Sequence, residues 1–523
     1  MPQPRIDASS DALLAGRRYA PANLGRVLII GLGVSGSAVA RYCANLLGTR
    51  VQQLQVIAGK VAPSEQTVQL ASELQAAGAS VILDSDQVEG SFDLCIASPG
   101  ISENAAFYQD AQAASSCLIS EVEFAWRESR SDSKWVAITG TNGKTTTTAL
   151  TAHLAVDGGL HVLAVGNIGD TCIQAVADDT FDVYVAEVSS YQLASVDLFA
   201  PDIAVVLNVT PDHLKWHGSL QAYAQAKHKV LAHLPQSGGC AVLCAEDDTV
   251  RSWLRELRAK PEGATMVPVG TSAGIQGDMR VACGSTNAAF LREEDNTLVV
   301  ALDGVEHALC RAEDLAIRGA HNVTNALVAA SCALQLGCAP NDVAASLCSF
   351  KPLAHRIEPV GEVAGVACYN DSKATNIDAT LKALSAFPDT PTIIMLGGDD
   401  KGTDLAELVS QVQARCKAAI CFGEAGPRFA EALGSDGIPI SLEPYMEPAL
   451  DHALSLAESG DAVLLSPACA SFDEFKSFEH RGDVFRNLVA QRAAAIDARS
   501  SASTTPVSDE AAPASPATPK GHA

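Results

Sequence analysis

Residues 135–146 read Trp135-Val136-Ala137-Ile138-Thr139-Gly140-Thr141-Asn142-Gly143-Lys144-Thr145-Thr146, and the fold is decided there. Residues 135–138 form an apolar run of strand character, and 147–155 suits a helix. Strand, glycine-rich turn, Lys-Thr and helix together make a phosphate loop. Backbone N–H groups and the helix N-terminus cradle phosphates, the lysine neutralises them, and the threonine hydroxyl reaches Mg2+. The usual pattern places a glycine five residues before Gly143. Ile138 stands there, and Gly140 gives a shorter loop. An ordinary turn before a surface helix is the competing reading, and the strand in front argues against it. Gly140, Thr141, Asn142, Gly143, Lys144, Thr145 and Thr146 are the candidate ATP contacts.

The chain has 523 residues, 47% of them hydrophobic, enough for about three domains. A net charge of −25 argues against nucleic acid or an anionic membrane as a partner, while leaving room for a small anionic substrate. Fifteen cysteines without a C-x-x-C pair or zinc spacing read as reduced, mostly buried thiols. Residues 1–25 carry no apolar signal core, and no run reaches membrane-spanning length. The expectation is a soluble, cytoplasmic protein.

Short apolar runs alternate with helical stretches, which predicts α/β architecture with parallel sheets. After a leader (1–25), a first Rossmann-like unit covers 26–130, with strands near 27–30, 54–57, 81–83 and 94–97. The polar stretch 129–133 reads as a linker. A central ATPase-like unit with the phosphate loop covers 131–350, its strands near 135–138, 161–165, 183–188 and 203–209. Residues 262–318 read as β-rich decoration. A second Rossmann-like unit covers 351–497, with strands near 366–369, 392–396, 418–422 and 462–465. Residues 498–523, rich in Ala, Ser, Thr and Pro, read as a disordered tail.

In open parallel sheets, ligands sit at the carboxyl ends of strands. Glu187 ends one central strand, and Asn208-Val209-Thr210-Pro211-Asp212-His213 closes another. A carboxylate and an imidazole beside a triphosphate suit Mg2+. Each alone also reads as a strand terminus or a turn cap. Lys227, taken alone, reads as a surface lysine. Gly31-Leu32-Gly33-Val34-Ser35-Gly36 follows the first strand and invites a dinucleotide reading. The second strand has no carboxylate before Glu65 to hold a ribose, so a redox cofactor is disfavoured and another nucleotide's diphosphate stays open. In the third unit, Asn370 to Asn376, Gly397 to Gly402 and Ser466 to Phe475 offer lysines, hydroxyls and amides for a small anion. Cys469 reads as a small buried residue, with no histidine partner in its motif.

Over roughly 26–495 the chain resembles the Mur ligases of peptidoglycan synthesis. The motifs are G-T-N-G-K-T-T (140–146), G-N-I-G (166–169), E-V-S-S-Y-Q-L (187–193), N-V-T-P-D-H (208–213), G-A-H-N-V-T-N (319–325) and H-R-I-E (355–358). N-D-S-K-A-T-N (370–376) and S-P-A-C-A-S-F-D-E-F (466–475) point to the D-glutamate-adding branch, and the D-N-P-R motif of diaminopimelate-adding members is absent.

The resemblance implies an ATP- and Mg2+-dependent ligase joining D-glutamate to UDP-N-acetylmuramoyl-L-alanine through an acyl phosphate, working as a monomer. It implies Lys144, Glu187, His213 and Lys227 as catalytic residues. Thr145, Glu187, His213 and Lys227, the last as N6-carboxylysine, would hold metal, which reverses the surface reading of Lys227. Asn322, Asn325, Arg356 and Asp371 would contact ATP. Gly33, Val34, Ser35, Ser98, Gly100 and Asn167 would contact the UDP substrate. Lys373, Thr375, Lys401, Ser471, Phe472 and Phe478 would line the D-glutamate pocket. Two departures stand out: Lys215 replaces an acidic residue two after the metal histidine, and the second strand end lacks the usual uracil-side residues. A sister ligase for another amino acid, or a phosphate-loop ATPase or kinase without ligation, are the rival readings.

Overall fold

The computed structural model describes residues 13–260, 263–271, 286–400, 402–434 and 437–502, with side chains as far as Ile496. They form two compact units that divide between Pro352 and Leu353.

The first unit carries two sheets. One is parallel, in the order β3-β2-β1-β4-β5, from β1 (Gly25–Ile30), β2 (Val51–Ile57), β3 (Ser80–Ile82), β4 (Leu94–Ala97) and β5 (Leu118–Ser120). The other contains β6 (Lys134–Thr139), β7 (Val162–Gly166), β8 (Val183–Glu187), β9 (Ile203–Val206), β10 (Cys240–Cys244) and β11 (Thr265–Gly270), all parallel. It continues through β12 (Ala288–Arg292), β13 (Thr297–Leu302) and β14 (Val305–Arg311) to give the order β14-β13-β12-β11-β10-β9-β6-β8-β7. Within the β-rich decoration, β11 and β12 continue the parallel sheet, and β13 and β14 extend it antiparallel. Strands β4, β8, β9 and β10 are buried along their whole length, as near-continuous apolar runs between helical layers must be.

Two expectations are corrected by the packing. Residues 13–24 are no detached leader: Ala20 and Leu24 are buried, and Tyr19 stacks on Trp126 at 5.2 Å between ring centroids. Arg17 pairs with Asp179 at 3.0 Å. The polar stretch 129–133 is no loose linker either. Ser129 accepts from the indole N–H of Trp135 (3.1 Å) and donates to the carbonyl of Trp126 (2.7 Å). Ser133 donates to the carbonyl of Arg130 at 2.8 Å. Serine can be buried there because its hydroxyls find partners.

The helix Glu121–Glu128 joins the two sheets of this unit. Glu123, fully buried, accepts from Arg127 Nε (2.9 Å) and from the N–H of Leu198 (2.9 Å), which follows β8. Glu121 accepts from the N–H of Ile173 at 2.7 Å. A single apolar core runs from Leu24 and Val27 through Phe124 and Trp126 to Val299.

The second unit has one sheet, in the order β15-β16-β20-β17-β18-β19, from β15 (Glu358–Val363), β16 (Val366–Asn370), β17 (Thr392–Gly397), β18 (Cys416–Phe422), β19 (Ile440–Glu443) and β20 (Ala462–Leu465). Only β15 runs antiparallel to its neighbour. β15 and β19, the two edges, escape the sequence reading because they are short, half exposed and lack a continuous apolar run. The helix Phe478–Ala502 continues five residues into the stretch read as tail, while 503–523 lie outside the described residues.

Replacing Glu123 with Ala is expected to cost about 3–5 kcal/mol, because it strands the buried Arg127 guanidinium. The check is a lowered urea midpoint for the first unit's unfolding, with Glu123→Gln falling between wild type and Glu123→Ala.

Candidate functional site

The phosphate loop leaves β6 at Gly140 and enters the helix Lys144–Asp157 through Gly143. Gly143 has φ +87°, and a Cβ there would stand 2.7 Å from Asn325 Oδ1. Only glycine suits that backbone and that gap. Asn208, early in the loop after β9, accepts from the N–H groups of Thr141 (3.1 Å) and Asn142 (2.9 Å). The Thr141 hydroxyl meets the Tyr223 hydroxyl at 2.9 Å. The front of the loop is therefore tied into the protein, and its anion-facing groups are those of the helix's first turn, Thr145 and Thr146 among them, which lack intrahelical carbonyl partners.

Two lysines converge on one carbonyl. Lys144 Nζ donates to Gly140 O and to Thr141 O, each at 2.9 Å, and Lys227 Nζ donates to Gly140 O at 2.8 Å. Lys227, on the helix Leu220–His228, is 1% exposed and lies 4.5 Å over the Tyr223 ring. Its surface reading is wrong: the fold buries it beside Lys144 at the phosphate loop. Burial, and then the Lys144 charge, hold its ammonium well below the usual lysine range, against the pull of Asp212 and Glu187.

Glu187 closes β8 and is also buried. Its Oε1 accepts from Asn167 Nδ2 at 2.9 Å, and its Oε2 is buried without a hydrogen-bond donor. A buried carboxylate oxygen in that condition fits a cation. His213 is in the left-handed region at φ +54°, capping the short helix Leu214–His217, with Nε2 3.5 Å from Asp212 Oδ2. Among the described residues no three His, Cys, Asp or Glu side chains gather into a closed metal site. A cation at this position would need ligands from phosphate, hydroxyl or water, the habit of Mg2+.

Asn322 and Asn325, on the helix Ala320–Gln335, bond to each other at 2.9 Å, and Asn325 abuts Gly143. In the other sheet of this unit, Ser98 Oγ donates to Gly31 O at 3.1 Å, holding together the loops after the adjacent strands β1 and β4. Gly33 and Gly100 there face open space, Ser35 is half buried, and Val34 is 82% exposed. Asn167 is not with this group but beside Glu187.

In the second unit, Asp371 follows β16, buried, accepting from Ser466 Oγ (2.7 Å) and the N–H of Ile357 (3.2 Å). Burial pushes its carboxyl up to about 7, although those two hydrogen bonds oppose the shift. Arg356 precedes that segment. Lys373 Nζ lies 3.7 Å over the Phe478 ring, Thr375 is half buried, Ser471 is buried, and Phe472 is 70% exposed. Lys401 lies outside the described residues. Cys469 is buried, and burial pushes its thiol up to about 12, in keeping with an inert residue.

Sequence reasoning missed Arg481. It is fully buried and donates to Ser372 Oγ (2.9 Å), Ser372 O (2.8 Å), Cys469 O (3.1 Å) and Ala470 O (3.0 Å). It thereby pins the loops after β16 and β20 to each other. Tyr223 and the anchoring role of Asn208 escape in the same way, because their partners are distant in sequence.

The chain matches the family model described as the Mur ligase middle domain over residues 138–333, and that of the Mur ligase glutamate ligase domain over 355–469. It is 37% identical to the UDP-N-acetylmuramoylalanine–D-glutamate ligase of Pelotomaculum thermopropionicum, covering 89% of this chain and 97% of that one. It is 36% identical to the ligase of the same name from Salinibacter ruber, with the same coverage. Among solved structures, it is similar in fold to the UDP-N-acetylmuramate–alanine ligase of Thermotoga maritima (TM-score 0.52, 18% identity, 90% of this chain and 99% of that one). A MurF ligase from the same organism, in complex with ADP, gives TM-score 0.54 at 16% identity over 85% of this chain and 96% of that one.

Gly143→Ala is expected to weaken ATP binding at least about tenfold, since the new methyl must displace Asn325 from a strained backbone. Calorimetric titration with ATP checks it, and an unchanged affinity would contradict the close packing of Gly143 against Asn325.

Proposed function

The chain belongs to the Mur ligase family, and we infer from that membership that it joins D-glutamate to UDP-N-acetylmuramoyl-L-alanine, using ATP, in the synthesis of peptidoglycan precursors. The observation that carries this reading is identity of 34–37% along about nine-tenths of the chain to ligases of that name. The convergence of Lys144, Lys227 and Glu187 at one end of the central sheet supports it.

The alanyl carboxylate of the nucleotide substrate attacks the γ-phosphorus of ATP, and ADP leaves. The amine of D-glutamate then attacks the carbonyl of the acyl phosphate, phosphate leaves, and the amide forms as the amine loses its proton. Lys144 offsets the charge of the β- and γ-phosphates, and Asn167, held by Glu187, orients the reacting carboxylate. Thr145, Glu187 and His213 would hold Mg2+, which supplies further charge neutralisation at the phosphates. Asn322 and Asn325 serve the adenine side, Arg356 the phosphates and Asp371 the ribose. The loops at Gly33–Ser35, Ser98 and Gly100 take the uridine diphosphate. Lys373, Thr375, Lys401, Ser471, Phe472 and Phe478 hold D-glutamate, the two phenylalanines mainly through backbone N–H groups.

Lys227 is proposed to react with CO2, forming an N–C bond and releasing a proton, to become a carbamate ligand for a second Mg2+. Only the neutral amine is the nucleophile, and burial raises its share at a given pH.

Purified protein with ATP, Mg2+ and UDP-N-acetylmuramoyl-L-alanine is expected to release phosphate with D-glutamate, and not with L-glutamate, L-lysine, L-alanine or diaminopimelate. Release with another amino acid would move the chain to a sister activity, and no coupled release would sink the ligase reading. With 13C-bicarbonate, a carbamate carbon resonance is expected that grows as pH rises and is absent in Lys227→Ala. No such resonance in the active wild-type enzyme would remove the carbamate.

A further inference from the structure

We propose that His217 is a positioning residue that fixes His213 against Glu187 and so sets the geometry of the cation site. The inference rests on the reading of Glu187 and His213 as cation ligands.

His217 is 3% exposed, and its Nε2 meets Ser190 Oγ at 2.9 Å. Ser190 lies three residues after Glu187, and His217 four after His213. One buried hydrogen bond therefore ties the segment leaving β8 to the segment leaving β9. Both ends are firmly anchored. The helix Ser190–Ala194 opens with a capping box between Ser189 and Gln192. The N–H groups of Trp216 and His217 return to the carbonyl of His213 at 3.0 and 3.2 Å.

The rings complete the device. Tyr191 stacks on His217 (5.6 Å, 19° between planes) and lies 4.9 Å from the His213 ring, so it sits against both histidines. Tyr223, the ring beneath Lys227, closes edge-on to His217 at 5.3 Å and to His213 at 6.3 Å. His213 needs such a frame, because a non-glycine residue at φ +54° is strained and persists only where its surroundings over-determine it.

The test separates the hydrogen bond from the stack. His217→Phe keeps a ring and loses the bond, Ser190→Ala breaks the bond from the other side, and His217→Gln keeps a nitrogen where Nε2 stood. Mn2+ binding in the presence of a non-hydrolysable ATP analogue, read by electron paramagnetic resonance, is the primary measurement. His217→Phe and Ser190→Ala are expected to weaken Mn2+ by about tenfold or more, the usual effect of losing a residue behind a metal ligand. His217→Gln should restore most of the affinity. The KM for D-glutamate should not move, while the Mg2+ concentration for half-maximal phosphate release should rise in parallel. Should His217→Phe fail to fold, Ser190→Ala, which removes one oxygen, decides alone. Unchanged Mn2+ affinity in the folded variants, or no Mn2+ binding by the wild type, overturns the proposal. Because the Mn2+ measurement needs no turnover, a protein that binds the ion as predicted yet ligates nothing would sink the assigned activity and leave this inference standing.

Discussion

The first unit is organised around a charge problem: two lysine amines, Lys144 and Lys227, meet at the carbonyl of Gly140. Lys144 also reaches Thr141 O, and the carboxylates of Asp212 and Glu187 pull on Lys227, yet burial and the neighbouring charge still disfavour two ammonium ions side by side. Phosphate arriving at the loop would relieve that repulsion. The surrounding sequence maintains that tension. Gly140 and Gly143 let the loop pass under Leu207 and Asn325, Asn208 ties down its front, and Glu187 stands by with an oxygen no protein donor reaches. Loosening the loop would let the lysines drift to solvent, where each would be an ordinary ammonium.

The second unit solves a related problem by different means. Arg481 is buried without a carboxylate bonded to it, its charge spread over three carbonyls and a hydroxyl. Burial depresses even a guanidinium in this setting, to about 10, although Cys469, Asp473, Asp371 and Glu474 pull the other way. A planar donor fork is suited to gripping several loops at once, which an ammonium could not do. Asp371, whose carboxyl is raised towards neutrality, stands on the neighbouring strand end and bonds to Ser466.

Features written locally are legible in the sequence. The phosphate loop, most interior strands and the strand-end polar residues each declare themselves within a dozen residues, because period, glycine placement and strand termini are short-range signals, although β10, an apolar run buried along its length, escapes that reading. Features that depend on distant partners are not. Lys227 looks like any helical lysine until Gly140 and Tyr223 are folded around it. The serines at 129 and 133 look like linker because their partners Trp126, Trp135 and Arg130, though near in sequence, are met only where the chain turns back on itself. β15 and β19 lie at sheet edges, where exposure erases the apolar run that marks an interior strand. Motif resemblance alone sets Lys227 apart from a surface lysine, because it carries long-range information that residue chemistry lacks.

The packed segment ahead of β1 has a consequence for how the chain is made. Arg17 and Arg18 are made before their partners Asp179 and Asp202, which lie 162 and 184 positions later. At ordinary rates of synthesis these two ion pairs wait on the order of ten seconds or more after the arginines are made, while nearer partners such as Arg50 and Trp126 appear sooner. The segment is thus held first by nearer partners, and its ion pairs act as a clasp that closes only after β8 and the stretch leading into β9 exist.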